Sequence, residues 1–385
     1  LPMPWKKTEP MNERLKFIAA AHDGGYSMTE LCEHFGISRK TGYKWLKRFA
    51  LEGVNGLEER SHANFHHPNA VRETTISEIL GVKSRYRNWG PKKVHDWLAL
   101  NRPQMVVPAT STIGEILKRH GLVRKRSHRV RQVPQTAPLS HCAQPNDVWS
   151  SDFKGQFRLQ NGRYCYPLTV TDNSSRMLLV CKGLYAPTEA GVLRWYETAF
   201  REYGLPCAMR TDNGSPFASV ALAGLTRLNI WWLKLGIRLE RIQPGWPQQN
   251  GRHERMHRTL KEETAKPPKG NMSAQQRAFN RFRMEYNQER PHEALQGVPP
   301  IKMHRQWERA YPNKVAEVVY AESMKVRRVR SNGEIKWMGG RVYVTESLRG
   351  EPIGLIPIDN DCWAVYFAQL KLGILDDRLG KIIRI

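Results

Sequence analysis

Residues 148–154 read Val148-Trp149-Ser150-Ser151-Asp152-Phe153-Lys154, and their alternation decides how the surrounding chain is read. Successive side chains of an extended strand point to opposite faces, so Val148, Ser150, Asp152 and Lys154 share one face. The β-compatible stretch 148–157 therefore carries a carboxylate on a strand. Two apolar runs follow, Tyr164 to Thr171 and Met177 to Cys181, joined by the turn cluster Asp172-Asn173-Ser174-Ser175, and the three segments make a meander. Downstream, Pro187 to Tyr203 reads as a helix, Ala208 to Thr211 as a strand and Phe217 to Leu235 as mainly helical. Ile237 to Ile242 then reads as a strand and Asn250 to Ala265 as a helix. Pro167 falls inside the second strand, where a ladder donor is expected.

The order βββαβαβα, with acids on one face, is that of a ribonuclease-H-like α/β fold. Asp152 lies within its first strand, Asp212 at the carboxyl end of its fourth and Glu254 on the first turns of its late helix. Three such carboxylates suit metal-assisted phosphoryl transfer. Hard oxygen donors hold two Mg²⁺ ions about 3.5 to 4 Å apart, one beside the attacking oxygen and one beside the leaving oxygen, and Mn²⁺ can substitute. The nearest competing carboxylates, Asp147 and Asp172, read as structural.

Three runs carry a resemblance: Trp149-Ser150-Ser151-Asp152-Phe153, Thr211-Asp212-Asn213-Gly214-Ser215-Pro216-Phe217 and Pro247-Gln248-Gln249-Asn250-Gly251-Arg252-His253-Glu254-Arg255. In this order they resemble the D-D-E signature of insertion-sequence transposases with a retroviral-integrase-like catalytic core. Tyr286-Asn287-Gln288-Glu289-Arg290-Pro291-His292-Glu293-Ala294-Leu295 resembles the segment that follows that core. The likeness spans nearly the whole chain. It implies catalysis and metal binding by Asp152, Asp212 and Glu254, and metal-dependent cleavage of DNA 3′ ends with strand transfer. It also implies binding to double-stranded DNA, both terminal inverted repeats and target. A homo-oligomer, dimer or higher, would bridge two DNA ends in a bacterial cytoplasm at the nucleoid. One departure is the separation of 42 from Asp212 to Glu254, longer than is usual in the family, which suggests an insertion within Trp231 to Leu239.

A second motif overlies Glu254. His253-Glu254-Arg255-Met256-His257 matches H-E-x-x-H, in which two histidines bind Zn²⁺ and the glutamate is the base of a metalloprotease. No third ligand is evident, and Arg252, Arg255, Arg258 and Lys261 crowd the helix with positive charge. Arg258 and Lys261, at i+4 and i+7, share Glu254's face and suit DNA phosphates beside the metals. His253 and His257 then read as DNA-contacting or structural. A regulator that binds DNA through an inactive core is the other alternative.

The chain has 385 residues and a formal net charge of +25, a field that attracts polyanions, nucleic acid before an anionic membrane surface. Hydrophobic residues are 40%, mean hydropathy is −0.60, and no apolar run reaches the ~18 residues of a membrane span, so a folded protein that does not cross a membrane is expected. Six cysteines lie scattered without a Cys-x-x-Cys pair, which suggests reduced cytosolic thiols. Leu1 to Lys7 lacks the apolar region of a secretory signal.

The first third has helical period. Leu15, Ile18, Ala19, Leu31, Phe35, Tyr43, Trp45, Leu46 and Phe49 fit three short helices, with Ser27 and Ser38 as caps and Gly36 at the turn of a helix-turn-helix. The third helix, Arg39 to Ala50, carries Arg39, Lys40, Lys44, Lys47 and Arg48 for phosphates and base edges. After a linker in which His62, His66 and His67 lack zinc-finger spacing, a second unit places helices at Val71 to Tyr86, Pro91 to Leu100 and Thr110 to His120, the last capped by Thr110 or Ser111. Arg124, Lys125, Arg126, Arg129 and Arg131 form a basic arm suited to lie along phosphates.

Beyond Lys314 short strands are expected at Val315 to Tyr320, Met324 to Val329, Ile335 to Met338, Arg341 to Val344, Pro352 to Ile358 and Trp363 to Phe367, a small β-barrel. Lys325, Arg327, Arg328 and Arg330 suit DNA backbone contact or subunit bridging. No phosphate-cradling glycine motif is found, so no nucleotide cofactor is implied. The multidomain α+β chain is expected to divide into a first helix-turn-helix domain (1–60), a second with its arm (70–131), a linker (132–145), the ribonuclease-H-like core (146–300) and the C-terminal barrel (314–385).

Overall fold

Ser27 and Ser38 start helices where their hydroxyls can accept otherwise unpaired backbone amides. In the computed structural model, which describes residues 9–60, 70–123, 139–243, 246–305, 309–359 and 361–384, both caps form. The basic arm residues Arg124, Lys125, Arg126, Arg129 and Arg131, and the linker histidines His62, His66 and His67, lie outside the described residues. The chain divides at residue 70 into two compact units. The first holds α1 (Pro10–His22), α2 (Met28–His34) and α3 (Arg39–Glu52). Ser27 and Glu30 form a reciprocal capping box, and Ser38 Oγ accepts from Thr41 N at 3.2 Å. Gly36 makes the intervening turn at φ +62°, a conformation free of Cβ strain only for glycine. Phe17, Ile18, Leu31, Cys32, Trp45 and Leu57 fill the core of this unit.

The second unit begins with α4 (Glu73–Arg85), α5 (Pro91–Asn101) and α6 (Thr110–Arg119), which bury Ile79, Val82, Trp89, Val94, Leu98, Ile113 and Leu117 together. Neither Thr110 nor Ser111 caps α6: both are already helical, and Ala109 holds the cap position without a side-chain bond.

The sheet that follows comprises β1 (Val148–Phe153), β2 (Phe157–Arg158), β3 (Tyr164–Asp172), β4 (Leu178–Leu184), β5 (Ala208–Thr211) and β6 (Arg238–Arg241), interleaved with α7 (Glu189–Tyr203) and α8 (Arg227–Lys234) and followed by α9 (Gly251–Thr264) and α10 (Met272–Gln288). Strand β3 pairs antiparallel with β4 and with β1, and β1, β5 and β6 run parallel. The expected first strand therefore ends at Phe153, and β2 pairs separately with the start of β3. Alternation along β3 sends Leu168 and Val170 into the layer of α7 and α8. It sends Cys165, Thr169 and Thr171 toward α9 and α10, where Leu178, Cys181, Met256, Leu260, Phe279 and Phe282 complete a second core. Pro167 is tolerated because Lys154 N donates to its carbonyl at 2.9 Å, so its missing N–H faces the point where β1 has ended and the chain turns away.

The stretch Phe217 to Leu235, expected to be mainly helical, holds a short 3-10 turn at Leu222–Gly224 and then α8. Thr226 and Asn229 build a capping box that starts α8 afresh, and Ala223 (φ 52°) and Gly224 (φ +63°) break the stretch before it. Trp231 to Leu239 contains the end of α8 and the start of β6. Among the described residues between β5 and α9, the longest stretch without α-helix or strand is 212–226. Leu222 and Leu225 enter the core of the C-terminal region, beside Val329, Ile353 and Phe367.

That region contains β7 (Lys325–Arg328), β8 (Glu334–Trp337), β9 (Gly340–Tyr343), β10 (Pro352–Asp359), β11 (Cys362–Phe367), β12 (Leu370–Asp376) and β13 (Lys381–Ile383). No strand forms over 315–320, and β12 and β13 were not anticipated. The sheet runs β13-β12-β11-β10-β7, and among the described residues nothing ladders onto its outer edges, so the expected barrel is an open antiparallel sheet. After β7 the chain turns: Val329 N donates to Glu351 O, and Arg330 N to Glu334 O at 2.8 Å. The β8–β9 hairpin then packs through Ile335, Trp337 and Val342 rather than extending the ladder.

The run Tyr286 to Leu295 ends α10 and receives the second helical unit. Arg85 pairs with Glu289 at 3.1 Å and Lys92 with Glu293 at 2.9 Å, while the half-buried ammonium of Lys93 donates to the Pro291 carbonyl. Burial pushes Lys93 down to about 8. Among the described residues no helix is long and apolar enough to cross a membrane.

Candidate active site

Parallel pairing of β1 with β5 puts Ser151 opposite Thr211, so the next residue on each strand, Asp152 and Asp212, emerges at the same end of the sheet. Burial and then the Asp212 charge push the Asp152 carboxyl up to about 7; Glu254 adds a smaller push, while the Phe153 backbone hydrogen bond and Lys154 oppose it. Asp212 is raised by burial as well, against the Gly214 amide that donates to its Oδ1 at 3.2 Å. These carboxylates form an electrostatic deficit that a cation would relieve, and their donors are the hard oxygens that a divalent ion such as Mg²⁺ prefers.

Glu254 sits on the first turn of α9. That helix exposes Arg252, Glu254, Arg255, Arg258 and Lys261 and buries His253, Met256, His257, Leu260 and Thr264, so Arg258 and Lys261 do share the face of Glu254. Asp147 and Asp172 serve backbone instead. Asp147 accepts from Gln144 N at 2.8 Å, and Asp172 accepts from Asn146 N at 3.0 Å and Ser175 N at 2.8 Å.

The two histidines turn inward. Both Nε2 atoms meet Thr169 Oγ1, His253 at 2.7 Å and His257 at 2.6 Å, and His253 Nδ1 meets Thr171 Oγ1 at 2.9 Å. His257 Nδ1 faces Asp152 Oδ2 at 3.7 Å. Burial pushes His253 down to about 3 and holds His257 well below its ordinary value, so both are neutral. Atoms of Asp152, His253 and His257 lie within 4.8 Å of one another, but both nitrogens of His253 are engaged by Thr169 and Thr171, so a zinc ion there would have to displace one of those bonds. Glu254, the base of the protease alternative, is exposed while both histidines are buried, and the geometry gives that reading no support.

On α3, Arg39, Lys40, Lys44 and Lys47 are exposed along one side. Arg48 is half-buried, its guanidinium 5.2 Å from the Trp45 ring centre, with Lys44 Nζ at 4.4 Å and Arg14 at 4.0 Å over the same ring. The aromatic ring thus holds three cationic groups at the surface of the third helix.

Comparison with known families finds an integrase core domain over residues 143–247 and another over 235–300, a helix-turn-helix domain over 13–64 and a homeodomain-like domain over 41–117. The chain is 29% identical over 249 residues to an uncharacterized 39.2 kDa protein of insertion element IS476 from Xanthomonas euvesicatoria, covering 64% of this chain and 69% of that one. It is 29% identical over 235 residues to an uncharacterized 31.7 kDa protein of insertion element IS407 from Burkholderia multivorans, covering 60% and 81%. The chain thus carries an integrase core and N-terminal helix-turn-helix domains, and it is similar to proteins of bacterial insertion elements. The integrase core supports a polynucleotidyl transferase family member, and the matched domains indicate DNA binding. Among solved structures, the chain is similar to the HTLV-2 integrase catalytic core in complex with magnesium (16% identity, TM-score 0.35, 43% of this chain and 100% of that one). It is also similar to a chain of the simian T-cell lymphotropic virus intasome (15% identity, TM-score 0.38, 76% and 94%).

The reading from sequence missed Thr169 and Thr171 as neighbours of the acidic site. Both lie on the β3 face toward α9, which period-two counting gives, and the i, i+4 spacing of His253 and His257 marks a shared helix face. That those two faces meet depends on how α9 packs, which no local pattern carries.

Proposed function

We propose that this chain is a DNA transposase that binds the terminal inverted repeats of its insertion sequence and performs metal-dependent 3′-end cleavage and strand transfer. The observation that carries the reading is the Ser151–Thr211 register, with Asp152 beside Asp212 and the Asp152 carboxyl at about 7. Asp152, Asp212 and Glu254 would hold two divalent ions, Mg²⁺ or Mn²⁺. Such ions supply Lewis acidity to the scissile phosphate and lower the pKa of water. The chain itself binds and orients. Arg39, Lys40, Lys44, Lys47 and Arg48 enter a groove, Arg124, Lys125, Arg126, Arg129 and Arg131 follow phosphates, and Arg258 and Lys261 hold the strand beside the acids. Residues 1–60 and 70–131 are its DNA-binding domains, 132–145 the linker, 146–300 the catalytic core and 314–385 a C-terminal domain whose Lys325, Arg327, Arg328 and Arg330 add backbone contacts. Strand transfer needs both ends and target held together, so the acting species is a homo-oligomer at the nucleoid in the bacterial cytoplasm.

The test incubates the protein with linear DNA carrying its own element end and Mg²⁺. Wild type is expected to cut and join, and Asp152→Asn, Asp212→Asn and Glu254→Gln each to abolish both steps. Cutting and joining that survive all three substitutions would overturn the assignment. A wild type that binds the ends but never cuts them would favour a DNA-binding regulator.

A further inference from the structure

The buried chain Thr171, His253, Thr169, His257 ends at Asp152, and its hydrogen bonds admit few proton arrangements. A neutral imidazole has one donor and one acceptor nitrogen, and a threonine hydroxyl has a single proton. Thr169 Oγ1 lies within bonding distance of three groups: Asp152 O at 3.1 Å, His253 Nε2 at 2.7 Å and His257 Nε2 at 2.6 Å. If its proton went to the Asp152 carbonyl, both Nε2 atoms would have to donate, and the bare lone pair of His257 Nδ1 would face Asp152 Oδ2 at 3.7 Å. Against an ionised carboxylate, the state a metal ligand requires, that arrangement is repulsive. Reversing the proton removes the conflict. The Thr171 hydroxyl donates to His253 Nδ1, His253 Nε2–H donates to Thr169, the Thr169 hydroxyl donates to His257 Nε2, and His257 Nδ1–H points at Asp152. Every member is satisfied, and the shortest bond, at 2.6 Å, is the one that fixes the His257 tautomer.

We propose that His257 is a positioning residue: its Nδ1–H, set by the hydroxyl-imidazole chain from β3, orients the Asp152 carboxylate for the divalent ion. The proposal rests on the metal-dependent reading above. Its elements are rigid, since Thr169 and Thr171 stand on a central strand paired on both sides and His253 and His257 are both buried on α9. A partner that orients a ligand from behind commonly contributes tenfold or more to metal affinity.

The two amide variants separate the nitrogens. An asparagine amide reaches the place of Nδ1, and a glutamine amide that of Nε2. Mn²⁺ binding to the full chain, read by electron paramagnetic resonance, is compared with cleavage of end DNA and with the unfolding midpoint of each variant. His257→Ala and His257→Gln are expected to weaken Mn²⁺ binding about tenfold, with His257→Asn restoring it to within about threefold of wild type. Thr169→Val, close to isosteric, breaks the chain one step earlier and is expected to weaken Mn²⁺ binding in the same direction while the protein still folds. Equal losses in His257→Asn and His257→Gln, or undiminished binding in Thr169→Val, would overturn the positioning role. A wild type that neither binds Mn²⁺ nor cuts DNA would instead remove the metal-dependent reading itself, so the two failures are distinct. Should His257→Ala not fold, the asparagine-glutamine comparison and Thr169→Val carry the decision.

Discussion

Asp152 is held against its own chemistry: burial and the neighbouring carboxylate lift it from 3.8 to about 7, a cost to the metal-free fold of at most about 4 kcal/mol. The sign follows from proton linkage. Between these two values the native state keeps a proton that the unfolded chain releases, so this contribution to stability is full below 3.8 and is lost as pH rises through about 7. His253 acts oppositely. Its value falls to about 3, so its contribution is present above 6.5 and is lost as pH falls toward 3. Asp152→Asn isolates the first slope. Without divalent ions, the gap in Tm between the variant and wild type is expected to widen in favour of the variant from pH 5 to pH 8, and Mg²⁺ is expected to narrow it. Thermal unfolding across that range checks this, and a gap that stays constant with pH would sink it. The position of Asp152 on its strand face was readable from alternation alone. Its raised pKa was not, because that depends on β5 lying beside β1 in one particular register, a long-range fact.

At the scale of elements, local chemistry and packing can be pulled apart at Gly42, where α3 crosses close to α2. An added Cβ there would lie 2.7 Å from Cys32 Sγ and 3.0 Å from Phe17 Cζ. Alanine favours the helix by about 1 kcal/mol over glycine, but overpacking costs about 1 to 3 kcal/mol, and contacts this short make the second effect win. Gly42→Ala is therefore expected to lower the unfolding midpoint of the first unit, with Cys32→Ala in the same chain recovering part of the loss. Differential scanning calorimetry resolves this, and a stabilised single variant would refute the close-crossing argument. Elements with their own start signals were legible for the same local reason. Ser27 with Glu30, Ser38 with Thr41, and the βββ meander needed no distant partner. Where reading failed, the deciding information lay elsewhere in the chain. Leu222 and Leu225 look like helix core but are drawn into the C-terminal cluster, and β12 exists as the partner of β11, and β13 as the partner of β12, rather than by their own pattern.

For the molecule as a whole, the charge of +25 overstates what is available to a polyanion, because part of it is used internally. Arg210 binds Glu240 at 3.0 Å with both side chains nearly buried, Lys234 binds Glu351 at 2.8 Å and Arg290 binds Glu263 at 3.1 Å, while Arg85 and Lys92 are paired with the end of α10. By contrast, among the described residues no acid pairs with Arg39, Lys40, Lys44 or Lys47. A cation that is free before binding displaces condensed counterions from DNA, and each phosphate contact adds about 0.9 to the slope of log affinity against log salt. A cation already neutralised by a carboxylate adds less. Lys44→Ala and Lys47→Ala are each expected to flatten that slope by about 1. Arg85→Ala, which removes a charge already paired with Glu289, is expected to leave the slope nearly unchanged although the formal charge falls equally. Fluorescence anisotropy with end-repeat DNA at several salt concentrations measures all three. If Arg85→Ala flattens the slope as much as Lys44→Ala, net charge alone governs DNA binding and the distribution argued from the ion pairs is wrong.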